Sequence, residues 1–201
     1  MSISPPSLLL ASTSRYRREM LAKLALPFTQ VDPDFAEIPA PGEAPIAMAE
    51  RFAAGKALAV ANDPRYRSPS YLAIGSDQIV VVNDQILGKP GNRQRAHAQL
   101  RLCSDQWVTF TSAFCLASAG QILLVEHEDY AVQFRALTDA EIARYLTLEQ
   151  PYDCAGSIKA EGLGIALMAS TRGQDINTLY GLPLMRLAQR LRERGIDPLV
   201  D

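Results

Sequence analysis

The sequence predicts an α/β protein, a mixed twisted sheet with helices packed around it. Three observations carry that prediction. The apolar run Leu8–Leu10 gives way to Ser12, Thr13 and Ser14 and then to the helical spacing Met20, Leu21, Leu24, the order of strand, turn and helix. The β-prone run Tyr71–Val82 meets Asn83-Asp84 and then Gln85-Ile86-Leu87, a hairpin pattern. Thr138-Asp139-Ala140-Glu141 is a capping-box start for a helix in the second half. Strand and helix patterns therefore interleave along the chain. Its 201 residues fit one domain, 1–201, with two lobes.

In order, a strand at Leu8–Ala11 leads into a helix capped by Ser12 or Ser14. Pro27–Val31 reads as a short strand, and an acidic, proline-rich loop with Asp32, Asp34 and Glu37 follows it. From Pro45 to Ala61 the chain predicts an amphipathic helix with Met48, Phe52, Ala53 and Val60 on one side. After the Tyr71–Leu87 hairpin come the loop Gly88-Lys89-Pro90-Gly91 and a helix over Asn92–Cys103. Trp107–Leu116 and Ile122–Phe134 alternate as two long strands joined at Ala119-Gly120. The helix from Thr138 runs to Leu148, and the glycine-rich segment Cys154–Gly164 feeds a strand at Ile165–Met168. Gly181-Leu182-Pro183 breaks the chain before a last amphipathic helix to Arg194.

Composition narrows the function. Hydrophobic residues make up 48% and charged residues 21%, enough for a sizeable core. A formal net charge of −2 argues against a nucleic-acid binder, which carries a basic excess. Met1–Pro6 holds no basic residue, and no stretch reaches transmembrane length. Cys103, Cys115 and Cys154 are odd in number and far apart, with no metal-ligand spacing to His97 or His127. A reduced, cytoplasmic setting is the simplest reading, with no membrane partner.

The chemistry gathers at a few places. Hydroxyls followed by Arg15, Arg17 and Arg18 at a helix start make either an anion site or a capped helix with a solvated basic face. Asp77 is a carboxylate inside an apolar strand run, costly without a partner or a task. Lys89 sits on a loop that the hairpin returns towards Asp77, where it can present a point charge to phosphate. Lys56, among many alanines, reads by default as a snorkelling surface lysine. The acidic loop offers hard oxygens for magnesium, or is simply solvated. Glu161 between glycines can accept two hydrogen bonds from a base edge.

These pieces stand in a recognisable order. Ala11-Ser12-Thr13-Ser14-x-x-Arg17-Arg18-Glu19, Gly75-Ser76-Asp77-Gln78, Leu87-Gly88-Lys89-Pro90, Ala155-Gly156-Ser157 with Glu161-Gly162-x-Gly164, and Gly181-Leu182-Pro183 resemble the Maf family over almost the whole chain. The family consists of nucleoside-triphosphate pyrophosphatases. The resemblance implies a Maf-like (ITPase-like) α/β fold with two lobes around a cleft. It implies a divalent cation, magnesium or manganese, and release of pyrophosphate from a nucleoside triphosphate. Asp77 is then the catalytic base, and Ser12, Ser14, Arg17, Lys56 and Lys89 bind phosphate. Glu37 and Asp34 hold the metal, and Tyr16, Gln78 and Glu161 set base specificity.

Relatives that prefer dTTP and UTP carry Arg, Thr and Gln at those three positions, so the resemblance moves this chain towards the 7-methyl-GTP group. In that group the aromatic position is often Trp, and Tyr16 is a milder variant. A 7-methylguanine ring is cationic, so it can stack on Tyr16 and pair with Glu161. Two alternatives stay open: a pyrophosphatase of broader specificity, and a nucleotide-binding regulator of cell division without turnover. A homodimer is implied by likeness alone.

Overall fold

A computed structural model describes residues 5–200; Met1–Ser4, read above as free of a targeting pattern, lie outside them. The elements are β1 (Ser7–Ala11), α1 (Arg15–Ala22), β2 (Phe28–Val31), α2 (Pro45–Asn62), β3 (Tyr71–Val82), β4 (Gln85–Leu87), α3 (Arg93–Cys103), β5 (Trp107–Ser118), β6 (Gln121–Phe134), α4 (Asp139–Glu149), β7 (Met168–Arg172), α5 (Ile176–Leu179) and α6 (Leu184–Arg192). Their α/β order follows the sequence reading closely. Asn83 and Asp84 both take positive φ, as the expected hairpin turn requires. Thr138 and Glu141 form the reciprocal capping box.

The sheet runs β2-β1-β3-β5-β6-β7, with β4 paired to β3. β1 is parallel to β2 and β3, and the other pairs are antiparallel. Alternation decides which helix each strand face meets. Leu9, Ala11, Ala73 and Cys115 pack under α2, whereas Leu8, Leu10, Ile74 and Phe114 pack against α1 and α6. A further cluster joins Val80 and Phe110 to Leu100 of α3 and Leu146 of α4.

Register creates a gap that positions the site. β5 pairs with β3 along Ala73–Val81. On the other edge β1 covers Tyr71–Gly75 and β4 begins only at Val80. The stretch Ser76–Ile79 is thus left uncovered between the end of β1 and the start of β4. Asp77 lies in that gap, beyond the carboxyl ends of the parallel strands, where open α/β sheets bind ligands.

One expectation fails. Ile165–Met168 is not a strand: Leu163–Leu167 form a 3₁₀ turn, and β7 starts at Met168. The glycines force this. Gly164 lies so close to Lys159 that a Cβ would stand 2.4 Å from its carbonyl oxygen, and the Gly164 N–H donates to that oxygen. The apolar residues there belong to a tight turn, which leaves Ile165 62% exposed.

α2 lies very near β3. A Cβ on Gly75 would stand 2.2 Å from the Ala53 carbonyl and 2.6 Å from the Ala57 nitrogen. Gly55 in turn receives the ring of Phe35, which seats the acidic loop on α2. The atoms against Gly75 are backbone of α2, so relief there requires the helix to move. Gly75→Ala is expected to destabilise the protein by about 3 kcal/mol. A lower urea midpoint with an unchanged denaturant slope would show it, and kcat/KM should fall as α2 lifts.

Candidate active site

Asp77 and Lys56 are held together by the closeness of β3 and α2. Lys56 is 5% exposed and Asp77 equally so. Lys56 Nζ donates to Asp77 Oδ1 at 2.6 Å and to the Ser76 carbonyl at 3.4 Å, and it also pairs with Glu37. Lys56 is therefore no surface lysine: on a helix pressed to the sheet by alanines and Gly75, its side chain has only the Asp77 gap to enter. The Arg17 Nη2 approaches the same Asp77 oxygen at 3.8 Å. Burial alone would raise the Glu37 pKa. The Lys56 hydrogen bond and the charges of Lys56, Arg17 and Lys89 outweigh it and hold the carboxyl below its usual value.

The helix start resolves in favour of Ser14 as the cap, its Oγ accepting from the Arg17 N–H. Ser12 is buried, and its hydroxyl accepts from the Ser14 N–H, which fixes the turn that follows β1. Arg17 Nε donates to the Gly181 carbonyl at 3.1 Å. Arg18 is exposed and stands outside the cleft.

One cleft of about 470 Å³ runs beside these groups, with Asp77 buried against Lys56 and not among the residues that line it. Ser12, Ser14, Arg17, Glu37, Lys56 and Lys89 stand along it, and so do Tyr16 and Glu161. Sequence segments far apart thus meet as a cation-rich region beside an aromatic and a carboxylate. The Tyr16 hydroxyl takes a 2.9 Å hydrogen bond from Arg15 and contacts Cys154 Sγ at 3.5 Å. Burial chiefly raises the Tyr16 pKa, so it is a neutral phenol. Glu161 stands open at the cleft mouth, and desolvation there raises its pKa against the opposing charges of Lys159 and Arg15.

Gln78 lies elsewhere. Adjacent strand residues point to opposite faces, so Gln78 turns away from Asp77, towards α5. Its amide donates to Ser112 Oγ and to the carbonyls of Thr178 and Leu179. Ser76 Oγ and Ser112 Oγ donate to the Gly181 and Thr178 carbonyls. Gln78 therefore meets the cleft only through Leu179, Tyr180 and Gly181, which line it. In the acidic loop Asp32, not Asp34, lines the cleft; Asp34 is exposed, and its N–H donates to Asp32 Oδ1.

Asp32, Asp153, Cys154 and Tyr180 also line the cleft, and sequence reasoning did not single them out as site residues. Asp32 shared the flagged acidic loop, and Asp153 and Cys154 directly precede a flagged motif. Tyr180 left no local signal. Burial pushes the Cys154 thiol up to about 11, and Cys103 and Cys115 up to about 12, so none is a ready nucleophile. Among the described residues no three His, Cys, Asp or Glu side chains converge as a metal cage. Glu37 and Asp77 are the two carboxylates that meet on Lys56, and Asp32 also lines the cleft. Two carboxylates suffice for a magnesium ion that also takes substrate phosphates and water.

A family model described as "Maf-like protein" matches residues 7–194. The chain is 48% identical over 193 residues to the 7-methyl-GTP pyrophosphatase of Chromohalobacter salexigens, covering 96% of this chain and 98% of that one. Identity to the protein of that name from Bordetella pertussis is 48% over 201 residues, covering 99% and 98%. For Pseudomonas syringae pv. tomato it is 49% over 193 residues, covering 95% and 98%. Among solved structures, a HAM1 protein from Coxiella burnetii superposes with a TM-score of 0.44 at 15% identity, covering 64% of this chain and 73% of that one. So loose a superposition bears on no functional question.

Lys56→Met removes the one ammonium that joins Asp77 to Glu37 and leaves a buried carboxylate facing Arg17 alone. A loss of about 3 kcal/mol at neutral pH is expected in urea unfolding. Asp77→Asn added to it should restore part of that loss, because the stranded charge is gone; a double-mutant cycle reads the coupling.

Proposed function

The chain belongs to the Maf family, and from that premise we propose that it hydrolyses 7-methyl-GTP to 7-methyl-GMP and pyrophosphate. One observation carries this reading: Tyr16 and Glu161 share a single cleft with Arg17, Lys56 and Lys89. The three cations suit a triphosphate, which every nucleotide has. The aromatic face and the carboxylate suit a base that is both planar and positively charged.

In the proposed reaction the triphosphate lies against the N-terminus of α1, where the first-turn N–H groups that the Ser14 cap does not take can donate to its oxygens. Arg17, Lys56 and Lys89 bind its oxygens and stabilise the charge that develops in the transition state. A water attacks the α-phosphorus, and its proton passes to Asp77. The bond from the α-phosphorus to the bridging oxygen breaks, and pyrophosphate leaves carrying that oxygen. Both cations that face Asp77 approach Oδ1, which leaves Oδ2 for the water. Glu37 and Asp77 would hold the magnesium or manganese ion with the phosphates. When bound, that ion supplies charge neutralisation and polarises a phosphoryl oxygen. Asp32 replaces Asp34 as the second carboxylate of the acidic loop that faces the substrate.

Gln78 contributes to specificity by fixing the wall that carries Tyr180, through its bonds to Thr178 and Leu179. The substrate belongs to the nucleotide pool, which puts the enzyme in the cytoplasm as a remover of modified nucleotides. No helix among the described residues is long and apolar enough to cross a membrane. A homodimer rests on family likeness.

Pyrophosphate release from 7-methyl-GTP, GTP, dTTP and UTP, each with added magnesium or manganese, tests the reading. 7-methyl-GTP should be preferred, and equal rates would overturn the choice of substrate. Asp77→Asn should lower kcat by about 1000-fold, near the middle of what a positioned base contributes, while circular dichroism shows the fold intact. Retained turnover would remove Asp77 from that role.

Glu161→Gln should reduce the preference for 7-methyl-GTP over GTP by about tenfold, the order expected for losing a charge-assisted contact. The pH dependence has a definite sign. Because the Glu161 pKa is raised, its carboxylate is lost on acidification earlier than an ordinary glutamate near ~4.3. The preference in kcat/KM, which reports the free enzyme, should therefore fade as pH drops towards that value, and Glu161→Gln should flatten the profile.

A further inference from the structure

Arg15 plays no part in the reaction as derived, yet it lines the same cleft. Its guanidinium carbon lies 4.7 Å from the centroid of the Tyr16 ring, and Nη2 donates to the Tyr16 hydroxyl at 2.9 Å. The side chain is exposed, and among the described residues no carboxylate pairs with it at salt-bridge distance. Glu161 and Asp153 are both near enough for its charge to act on them. What holds it is the aromatic face and hydroxyl of its own neighbour.

The guanidinium is a planar, delocalised cation. So is a 7-methylguanine ring. The groups that would receive the base, an aromatic face with a carboxylate nearby, already receive Arg15 in the free protein. We propose that Arg15 is an internal competitor for the base: it occupies a face of Tyr16 within the field of Glu161, and a cationic base must displace it to bind there. The proposal rests on the substrate reading above. Arg15 then sets how tightly a positively charged base is held, because such a base meets both a blocked face and a like charge. A neutral base meets only the blocked face. Arg15 is thus a specificity-determining residue that acts by exclusion.

The other role open to an arginine here is as a further phosphate ligand, and a ligand without phosphate separates the two. The full-length protein is titrated calorimetrically with 7-methylguanosine and with guanosine, in wild type, Arg15→Ala and Arg15→Lys. Arg15→Ala should tighten guanosine by up to about two- to fivefold, the range set by freeing a face from an exposed cation–π contact. It should tighten 7-methylguanosine by more than that, because the cationic base gains the freed face and also loses a like charge. Arg15→Lys, which keeps charge but loses the planar stack, should give part of the gain. Unchanged or weaker 7-methylguanosine binding in Arg15→Ala would overturn the proposal. So would a variant that loses kcat/KM for 7-methyl-GTP and GTP alike while nucleoside binding stays constant, the signature of a phosphate ligand. If wild type holds 7-methylguanosine no better than guanosine, the substrate reading fails; the Arg15→Ala comparison still decides the role of Arg15.

Discussion

A single ammonium organises this molecule. Lys56 reaches from α2 into a gap in the sheet edge and joins the carboxylates of Asp77 and Glu37. Everything around it serves that placement. Ala53, Ala57 and Gly75 let the helix lie against the strand, and Gly55 lets Phe35 fold the acidic loop over the helix. Two buried opposite charges outweigh their desolvation only when their geometry is good, so the tight packing of alanines and glycines is a condition of the ion pair.

The pair can also be exchanged. A triphosphate with a divalent cation offers the same charges in another arrangement: anions for Lys56 and Arg17, a cation for Glu37 and Asp77. In the proposed reaction, binding is then an exchange of partners at Lys56 and Asp77, which are buried together in the free protein. The competition inferred for Arg15 on Tyr16 has the same character at the base end. At both ends the free protein pairs these groups with one another, which holds their geometry without a ligand.

A second layer lies behind the cleft on the other face of β3. Ser76, Gln78 and Ser112 fasten the carbonyls of Thr178, Leu179 and Gly181. Glu128 and Asp175 support the same short helix from its far side: Glu128 accepts from Thr178 Oγ1, and Asp175 from the Asn177 and Met185 N–H groups. Because Asp77 alternates with Ser76 and Gln78, one strand presents a carboxylate to Lys56 and anchors the Thr178–Gly181 wall at once.

Local pattern alone identified nearly all the regular elements. The β3–β4 turn, the capping box of α4 and the apolar face of α2 each follow from interactions within a few residues. The motif order likewise identified the family, and it pointed to Lys89 and Glu161, which line the cleft. Where the reading went astray, longer contacts ruled. Ile165–Met168 looked like a strand because its residues are apolar, but Gly164 packs on Lys159 and turns the chain. Lys56 looked like a surface residue because lysines usually are; only the meeting of α2 and β3 shows it buried. Gln78 is next to Asp77 in sequence yet belongs to the opposite face, and Tyr180 enters the cleft by way of a turn that no spacing announces. Sequence by itself determined the elements, the family and the charged residues available for chemistry, since those depend on composition and short-range periodicity. The tertiary structure alone decided which charges are buried together, which strand edge stays open and which walls close the cleft, because register and helix packing bring together residues as far apart in sequence as Arg17 and Gly181.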